Sequence, residues 1–78
     1  MTESGIFLIQ NYGTVVVTLK EIMDKQHITR NKLARLINTR YEVIDKWYGG
    51  SLEKVDLDVL ARICFVLKCS VADILHYQ

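Results

Sequence analysis

The side chains best suited to metal binding or catalysis are few, and they do not form a recognised pattern. Two cysteines, Cys64 and Cys69, are followed by His76, and this spacing matches no common zinc motif. We interpret Cys64 as a small apolar core residue and Cys69 as a residue at a helix end. His27 has no serine, cysteine or carboxylate in a catalytic arrangement, and no glycine-rich phosphate loop is present. The sequence therefore predicts no enzyme, no metal, no cofactor and no small-molecule ligand.

Basic side chains are the second informative group, and they are concentrated in the middle of the chain. The whole chain has a formal net charge of +1. Residues 25–54 contain seven Lys and Arg against three Asp and Glu, a local net charge of +4, whereas the remainder carries −3. A local positive field of this kind attracts an anionic partner such as nucleic acid.

Length and composition limit the architecture that can carry this charge. A chain of 78 residues that is 50% hydrophobic and 24% charged forms one globular domain with a modest core. No apolar stretch reaches the ~20 residues needed to cross a bilayer. The first fifteen residues contain no Lys or Arg, which does not indicate a secretory signal. We therefore expect a cytoplasmic protein that does not associate with a membrane.

Five short helices are predicted to position these residues. Their predicted starts are Thr18, Thr29, Thr39 or Arg40, Asp56 and Ser70. Glu21, Glu42 and Asp73 follow three of these starts at the spacing of a capping box. The predicted core face of the fourth helix comprises Leu57, Leu60, Ala61, Cys64 and Leu67, and the fifth helix carries Val71, Ile74 and Leu75.

The second and third helices have the spacing of a helix-turn-helix. Ala34 is small at the point where the two helices must cross closely. Asn38 follows four residues later, where the turn requires a left-handed conformation that asparagine tolerates. The apolar anchors of the pair are Leu33, Ile37, Ile44 and Trp47. Gly49 and Gly50 end the third helix, and one side of that helix is left free to enter a major groove.

This pattern resembles the Cro/CI-type helix-turn-helix family, the lambda-repressor-like domains. The resemblance covers about residues 15–77 and rests on the segments 29–38, 41–50, 55–60 and 69–75. It implies an all-α, five-helix DNA-binding domain of a bacterial or phage transcriptional regulator, usually a dimer on operator DNA. The chain departs from the family at Asn38, which replaces the turn glycine, and at Thr39, Arg40 and Gly49.

By this resemblance, the third helix approaches the bases. The base-contacting residues would be Arg40, Tyr41, Glu42, Asp45 and Lys46. Arg40 or Lys46 could donate to guanine, and Tyr41 could contact a thymine methyl group or a phosphate. Glu42 could accept from cytosine N4 or, equally, cap the helix. Because phosphates repel a carboxylate, we expect Asp45 to pair with a neighbouring Arg or Lys.

Phosphate contacts are expected at the start of the second helix and in the loop after the third. Thr29, Arg30 and Asn31 lie at a helix N-terminus, where backbone N–H groups and the helix dipole favour an anion. Weaker candidates are Lys32, Arg35, Ser51 and Lys54. Such contacts position a protein on DNA without reading its sequence.

An uncharged, β-prone arm precedes the helices. Residues 5–17 contain two apolar runs separated by Asn11-Tyr12-Gly13, which predicts two short strands that could form a hairpin. We therefore divide the chain into an N-terminal arm, residues 1–14, and a helix-turn-helix domain, residues 15–78.

The arm and one exposed aromatic residue suggest an interface. Phe65 shares a polar stripe of the fourth helix with Asp58 and Arg62. We expect a dimer or partner surface formed by Ile6, Phe7, Leu8, Ile9 and Phe65. The arm would pair with a second subunit or cover the fourth helix, and the alternative is that it folds back on its own chain.

Two functions remain open from the sequence. The first is a sequence-specific transcriptional regulator, expected to be a repressor, that binds double-stranded DNA as a homodimer. The second is a protein-interaction module, such as an antitoxin-like partner, which the acidic Glu42 and Asp45 and the apolar arm favour. An enzyme is set aside.

Overall fold

A computed structural model describes residues 12–78 as five helices and two short strands. In chain order these are β1 (Val15–Val17), α1 (Leu19–Lys25), α2 (Arg30–Leu36), α3 (Tyr41–Gly49), α4 (Leu57–Leu67), α5 (Val71–Ile74) and β2 (Leu75–Tyr77). The five predicted helices are confirmed. The predicted strand and interface at Ile6–Ile9 lie outside the described residues. Within residues 12–78, no helix combines the length and hydropathy needed to cross a bilayer.

The two strands correct the all-α prediction. β1 pairs with β2 in antiparallel register, with Val15 opposite Tyr77 and Val17 opposite Leu75. Leu75 was predicted to continue the fifth helix, which is wrong because its backbone is extended, with φ −121° and ψ 128°. Val15–Val17 is a strand, as predicted, and its partner among the described residues is the C-terminal end of the chain. The sheet thus joins the two ends of the helical domain.

Thr18 links the start of α1 to the end of α5. Its hydroxyl donates to the carbonyl oxygen of Asp73 at 2.8 Å and reaches that of Ile74 at 3.2 Å. The predicted capping role of Thr18 is therefore wrong, because its side chain makes no cap hydrogen bond to α1. At the start of α5 the capping box is present, and the Ser70 N–H donates to Asp73 Oδ2 at 2.8 Å.

The core is formed by one apolar side of each long helix. Its buried residues are Leu19, Met23, Leu33, Ala34, Ile37, Ile44, Trp47, Val59, Leu60, Ile63, Leu67 and Ile74. On α4 the prediction was partly wrong, since Leu57 is 76% exposed and Ala61 is also exposed. Val59 and Ile63 are buried instead. The buried face of α4 includes Leu60 and Leu67, as predicted, but it is rotated about the helix axis away from Leu57 and toward Val59 and Ile63.

Candidate nucleic-acid interface

The helix-turn-helix forms as its sequence predicts. The Thr29 hydroxyl accepts from the Lys32 backbone N–H at 3.1 Å and caps α2. Asn38 takes the left-handed conformation, with φ 57°. The next residue, Thr39, donates its backbone N–H to the carbonyl of Ala34 at 2.9 Å. The buried Ala34 therefore lies where the chain leaves α2 and reverses toward α3.

A side chain from α4 fixes the turn. Arg62 donates from Nη1 to the backbone carbonyl of Ile37 at 2.8 Å and pairs through Nη2 with Asp58 at 2.7 Å. The last carbonyl groups of a helix have no partner within the helix, so a donor is required there. The sequence placed Arg62 on a polar stripe but gave no signal that it reaches Ile37.

The ends of α3 define which residues this helix can present. Arg40 is the N-cap residue in extended conformation, and its side chain makes no cap hydrogen bond. The predicted capping of Thr39 by Glu42 is therefore wrong, because the helix begins one residue later than that pairing requires. Gly50 ends the helix with φ 74°, a left-handed conformation that favours glycine.

The five predicted base-contacting residues lie on the outer side of α3 or at its start. Arg40, Tyr41, Glu42 and Lys46 are exposed, and Asp45 is half-buried. The opposite side of the helix is anchored by Ile44 and Trp47, which are 0% and 1% exposed. α3 is therefore fixed by its apolar side and presents polar side chains outward.

Asp45 pairs with Arg30, as expected for a carboxylate in this position. Arg30 Nη1 lies 2.8 Å from Asp45 Oδ1. The guanidinium carbon of Arg30 also lies 4.8 Å from the ring centroid of Tyr48 and 5.7 Å from that of Tyr41. Arg30, which was predicted to contact a phosphate, thus begins α2 but packs its side chain against α3.

A second polar group joins α1 to the end of α3. The Tyr48 hydroxyl donates to Asp24 Oδ1 at 2.8 Å, and Lys20 Nζ lies 2.9 Å from Asp24 Oδ2. The hydrogen bonds from Lys20 and Tyr48 lower the pKa of Asp24, and the bond to Asp24 raises the pKa of Tyr48. Sequence reasoning missed these residues. The i,i+4 spacing of Lys20 and Asp24 signals their pairing, but nothing local signals the contact with Tyr48.

The remaining predicted phosphate residues form two exposed groups. Thr29, Asn31, Lys32 and Arg35 are exposed at the start and along the outside of α2. Ser51 and Lys54, in the loop after α3, line one surface pocket together with Lys46. Lys46, which was predicted to contact a base, therefore lies beside two residues that were predicted to contact phosphates.

The cysteines do not suggest a metal or redox site. Cys64 and Cys69 are free and partly buried. Burial, followed by the neighbouring Cys64 thiol, raises the pKa of Cys69 to about 11, which keeps it protonated near neutral pH. Among residues 12–78, no group of three His, Cys, Asp or Glu side chains is arranged to bind a metal ion.

Comparison with known structures supports this fold. A protein from Bacteroides fragilis, provisionally described as DNA-binding, superposes with a TM-score of 0.71 and 16% identity, over 81% of this chain and all of that one. The transcriptional regulator VanUg superposes with a TM-score of 0.69 and 22% identity, over 86% of this chain and 88% of that one. No curated protein sequence significantly matches the chain.

The family is established by sequence over most of the chain. The model of the Cro/C1-type HTH DNA-binding domain matches residues 18–78, which span α1 to β2. This region contains the helix-turn-helix, the Arg30–Asp45 pair and the exposed outer side of α3 described above. The chain therefore belongs to the Cro/C1-type HTH DNA-binding domain family.

Proposed function

We propose that this protein is a sequence-specific transcriptional regulator, without enzymatic activity, that inserts α3 into the major groove of operator DNA. Membership of a DNA-binding family supports DNA as the partner. The single observation that carries the proposal is the asymmetry of α3, whose apolar side is buried while its outer side exposes polar residues. That arrangement leaves hydrogen-bonding groups free at the surface of a rigid helix, as groove recognition requires.

The roles of individual residues follow from their positions. Arg40 and Lys46 are the cationic donors exposed on α3, so we assign them to guanine O6 and N7. Thr29 and Asn31, at the start of α2, are assigned to a phosphate. Lys54 and Ser51 share a pocket with Lys46 and are assigned to the phosphates that flank the bases it reads.

A homodimer on a palindromic operator is part of the proposal. Two half-sites about 10 base pairs apart would present one major groove to each copy of α3. Phe65 and Leu36, which are 83% and 52% exposed, provide apolar surface for the second copy. Binding of such a dimer would block RNA polymerase at a promoter, so repression is the proposed effect, and the cytoplasm is the proposed compartment.

The experiment is a selection of bound fragments from a randomised pool of double-stranded DNA. The proposal expects one sequence to be enriched as two inverted half-sites, and its affinity to exceed that for scrambled DNA by about a thousandfold or more at physiological salt. Enrichment of no sequence would contradict it.

A protein-interaction module remains the second candidate. The observation that favours it is the same exposed apolar pair, Leu36 and Phe65. The selection separates the two functions, because a module that binds only protein enriches no DNA sequence. A variant with Arg40 and Lys46 both replaced by alanine sharpens the result, since it would leave protein binding intact and abolish selection of DNA.

A further inference from the structure

We propose that Asp45 is a positioning residue, which fixes the guanidinium of Arg30 as a DNA-contacting group at the junction of α2 and α3. This inference rests on the proposed function, because it assigns Arg30 a role in DNA binding. It also reverses the simple expectation for a carboxylate on a DNA-facing helix, which is that it weakens binding by repelling phosphates.

The contacts of Arg30 come from one stripe of α3. Tyr41, Asp45 and Tyr48 are separated by four and three residues, so they lie on the same side of the helix. Asp45 accepts from Nη1 at 2.8 Å, and the two rings contact the guanidinium through their faces. A planar group with a carboxylate and two aromatic rings around it has few alternative orientations.

The guanidinium keeps donors available for DNA. An arginine side chain carries five N–H donors, and the hydrogen bond to Asp45 uses one of them. The side chain of Arg30 is 42% exposed, so it still reaches solvent. Arg30 is the first residue of α2, and its guanidinium lies against α3. The pair therefore presents an oriented cation at the junction of α2 and α3.

The support continues to α1. Tyr48, whose ring contacts Arg30, is itself fixed by its hydrogen bond to Asp24, and Lys20 pairs with the other oxygen of Asp24. Removal of the Tyr48 hydroxyl would keep the ring but release it from Asp24. The orientation of Arg30 thus depends on three helices. If this orientation is lost, we expect a measurable decrease in DNA affinity.

The test compares the neutralisation of two carboxylates in the basic region of the chain, using the full chain and the DNA that the wild-type protein selects. Asp45→Asn removes the partner of Arg30, whereas Glu53→Gln removes an exposed charge, in the loop after α3, that forms no ion pair within residues 12–78. We expect Asp45→Asn to bind about tenfold more weakly, and Glu53→Gln to bind equally or more tightly. Asp45→Glu, which keeps the charge, should recover most of the affinity.

A double-mutant comparison assigns the effect to Arg30. With Arg30→Ala already present, Asp45→Asn should no longer weaken binding, because the carboxylate then has no cation to orient. If Asp45→Asn instead binds as tightly as the wild-type protein, or more tightly because a negative charge is lost as in Glu53→Gln, the positioning role is overturned. If the wild-type protein selects no DNA sequence at all, the proposed function fails, and the two failures are thereby distinguished.

Thermal denaturation of every variant controls for folding. If Asp45→Asn is unfolded at the assay temperature, the DNA affinity of Tyr48→Phe is measured in its place. A loss of about threefold in affinity that disappears in the Arg30→Ala background supports the inference, and an unchanged affinity overturns it.

Discussion

Two exposed surfaces of this small domain differ in how their side chains are held. The first surface, formed by residues 29–35 and 40–46, is proposed to face DNA and is called the DNA-facing surface. It is polar and contains the Arg30–Asp45 pair. The apolar patch, formed by Leu36, Phe65 and Val66, lies beside the helix-turn-helix turn, and its Phe65 is 83% exposed. The first surface carries oriented charge, whereas the second offers area to be buried.

The two surfaces suit different kinds of partner. Hydrogen-bond donors in fixed positions distinguish bases, because the edges of the four base pairs carry different donors and acceptors in the major groove. An apolar patch has no such directional code, and it gains free energy from any partner that excludes water from it. We therefore propose that the domain separates sequence reading from subunit association, and substitutions confined to one surface would test that separation.

Loss of a base contact should have the strongest effect. Arg40→Ala should reduce affinity for the selected operator by roughly 1–3 kcal/mol at each of the two half-sites and relax specificity at one base pair of each. Equilibrium binding to operators altered at single positions measures both effects. Lys68→Asn is the matched control, because it removes a cation outside the helix-turn-helix and asparagine tolerates the left-handed conformation of residue 68. An equal loss for the two variants would contradict base reading by Arg40.

The second effect concerns the apolar patch alone. Phe65→Ser should raise the dimer dissociation constant roughly 10- to 150-fold, since burial of a large apolar side chain contributes about 1.5–3 kcal/mol. Sedimentation equilibrium measures this constant. Leu57→Ser is the control, because Leu57 is nearly as exposed, at 76%, and lies on the same helix outside the patch. If the two substitutions have equal effects, or no effect, the assignment of Phe65 to the dimer interface is contradicted.

A phosphate contact should show a different signature on the DNA-facing surface. Lys32→Ala should weaken binding to every sequence by about tenfold per subunit at ~0.1 M salt. It should also reduce the slope of log affinity against log salt by about one per subunit. Titrations at several salt concentrations, with selected and scrambled DNA, measure this slope. A loss confined to the selected sequence would assign Lys32 to base reading instead.

The smallest effect is the pH dependence of stability. The Ser70 hydrogen bonds lower the pKa of Asp73, so the folded state binds fewer protons than the unfolded state as pH falls past the ordinary value of 3.8. The stability from this carboxylate is therefore present above that value and lost as pH falls through the lowered pKa. Asp73→Asn should melt below wild type at about pH 7, and the two melting temperatures should converge at about pH 2. A constant difference would contradict this account.

Local sequence signals predicted the helices well. Thr29 and Ser70 cap α2 and α5, and Asn38 and Gly50 adopt left-handed conformations at the turns. These features depend on residues that are close in sequence, so their chemistry is visible in the chain itself. The pairing of β1 with β2 was missed because it joins Val15 to Tyr77, and nothing local to either strand specifies the other.

The candidate site was predicted in part for the same reason. The residues on the outer side of α3 follow from helical periodicity and from the family resemblance. Asp45 was expected to have a basic partner, but the identity of Arg30 required the crossing geometry of α2 and α3. The contacts of Tyr48 with Asp24, and of Arg62 with Ile37, depend on long side chains that cross between helices.

Methylation protection on the selected operator tests whether α3 enters the major groove. Dimethyl sulfate modifies guanine N7 in the major groove and adenine N3 in the minor groove. We predict protection of guanine N7 in two clusters about one helical turn apart, with adenine N3 still reactive between the contacted bases. Protection of adenine N3 alone, or a saturated complex with every guanine N7 reactive, would contradict the claim.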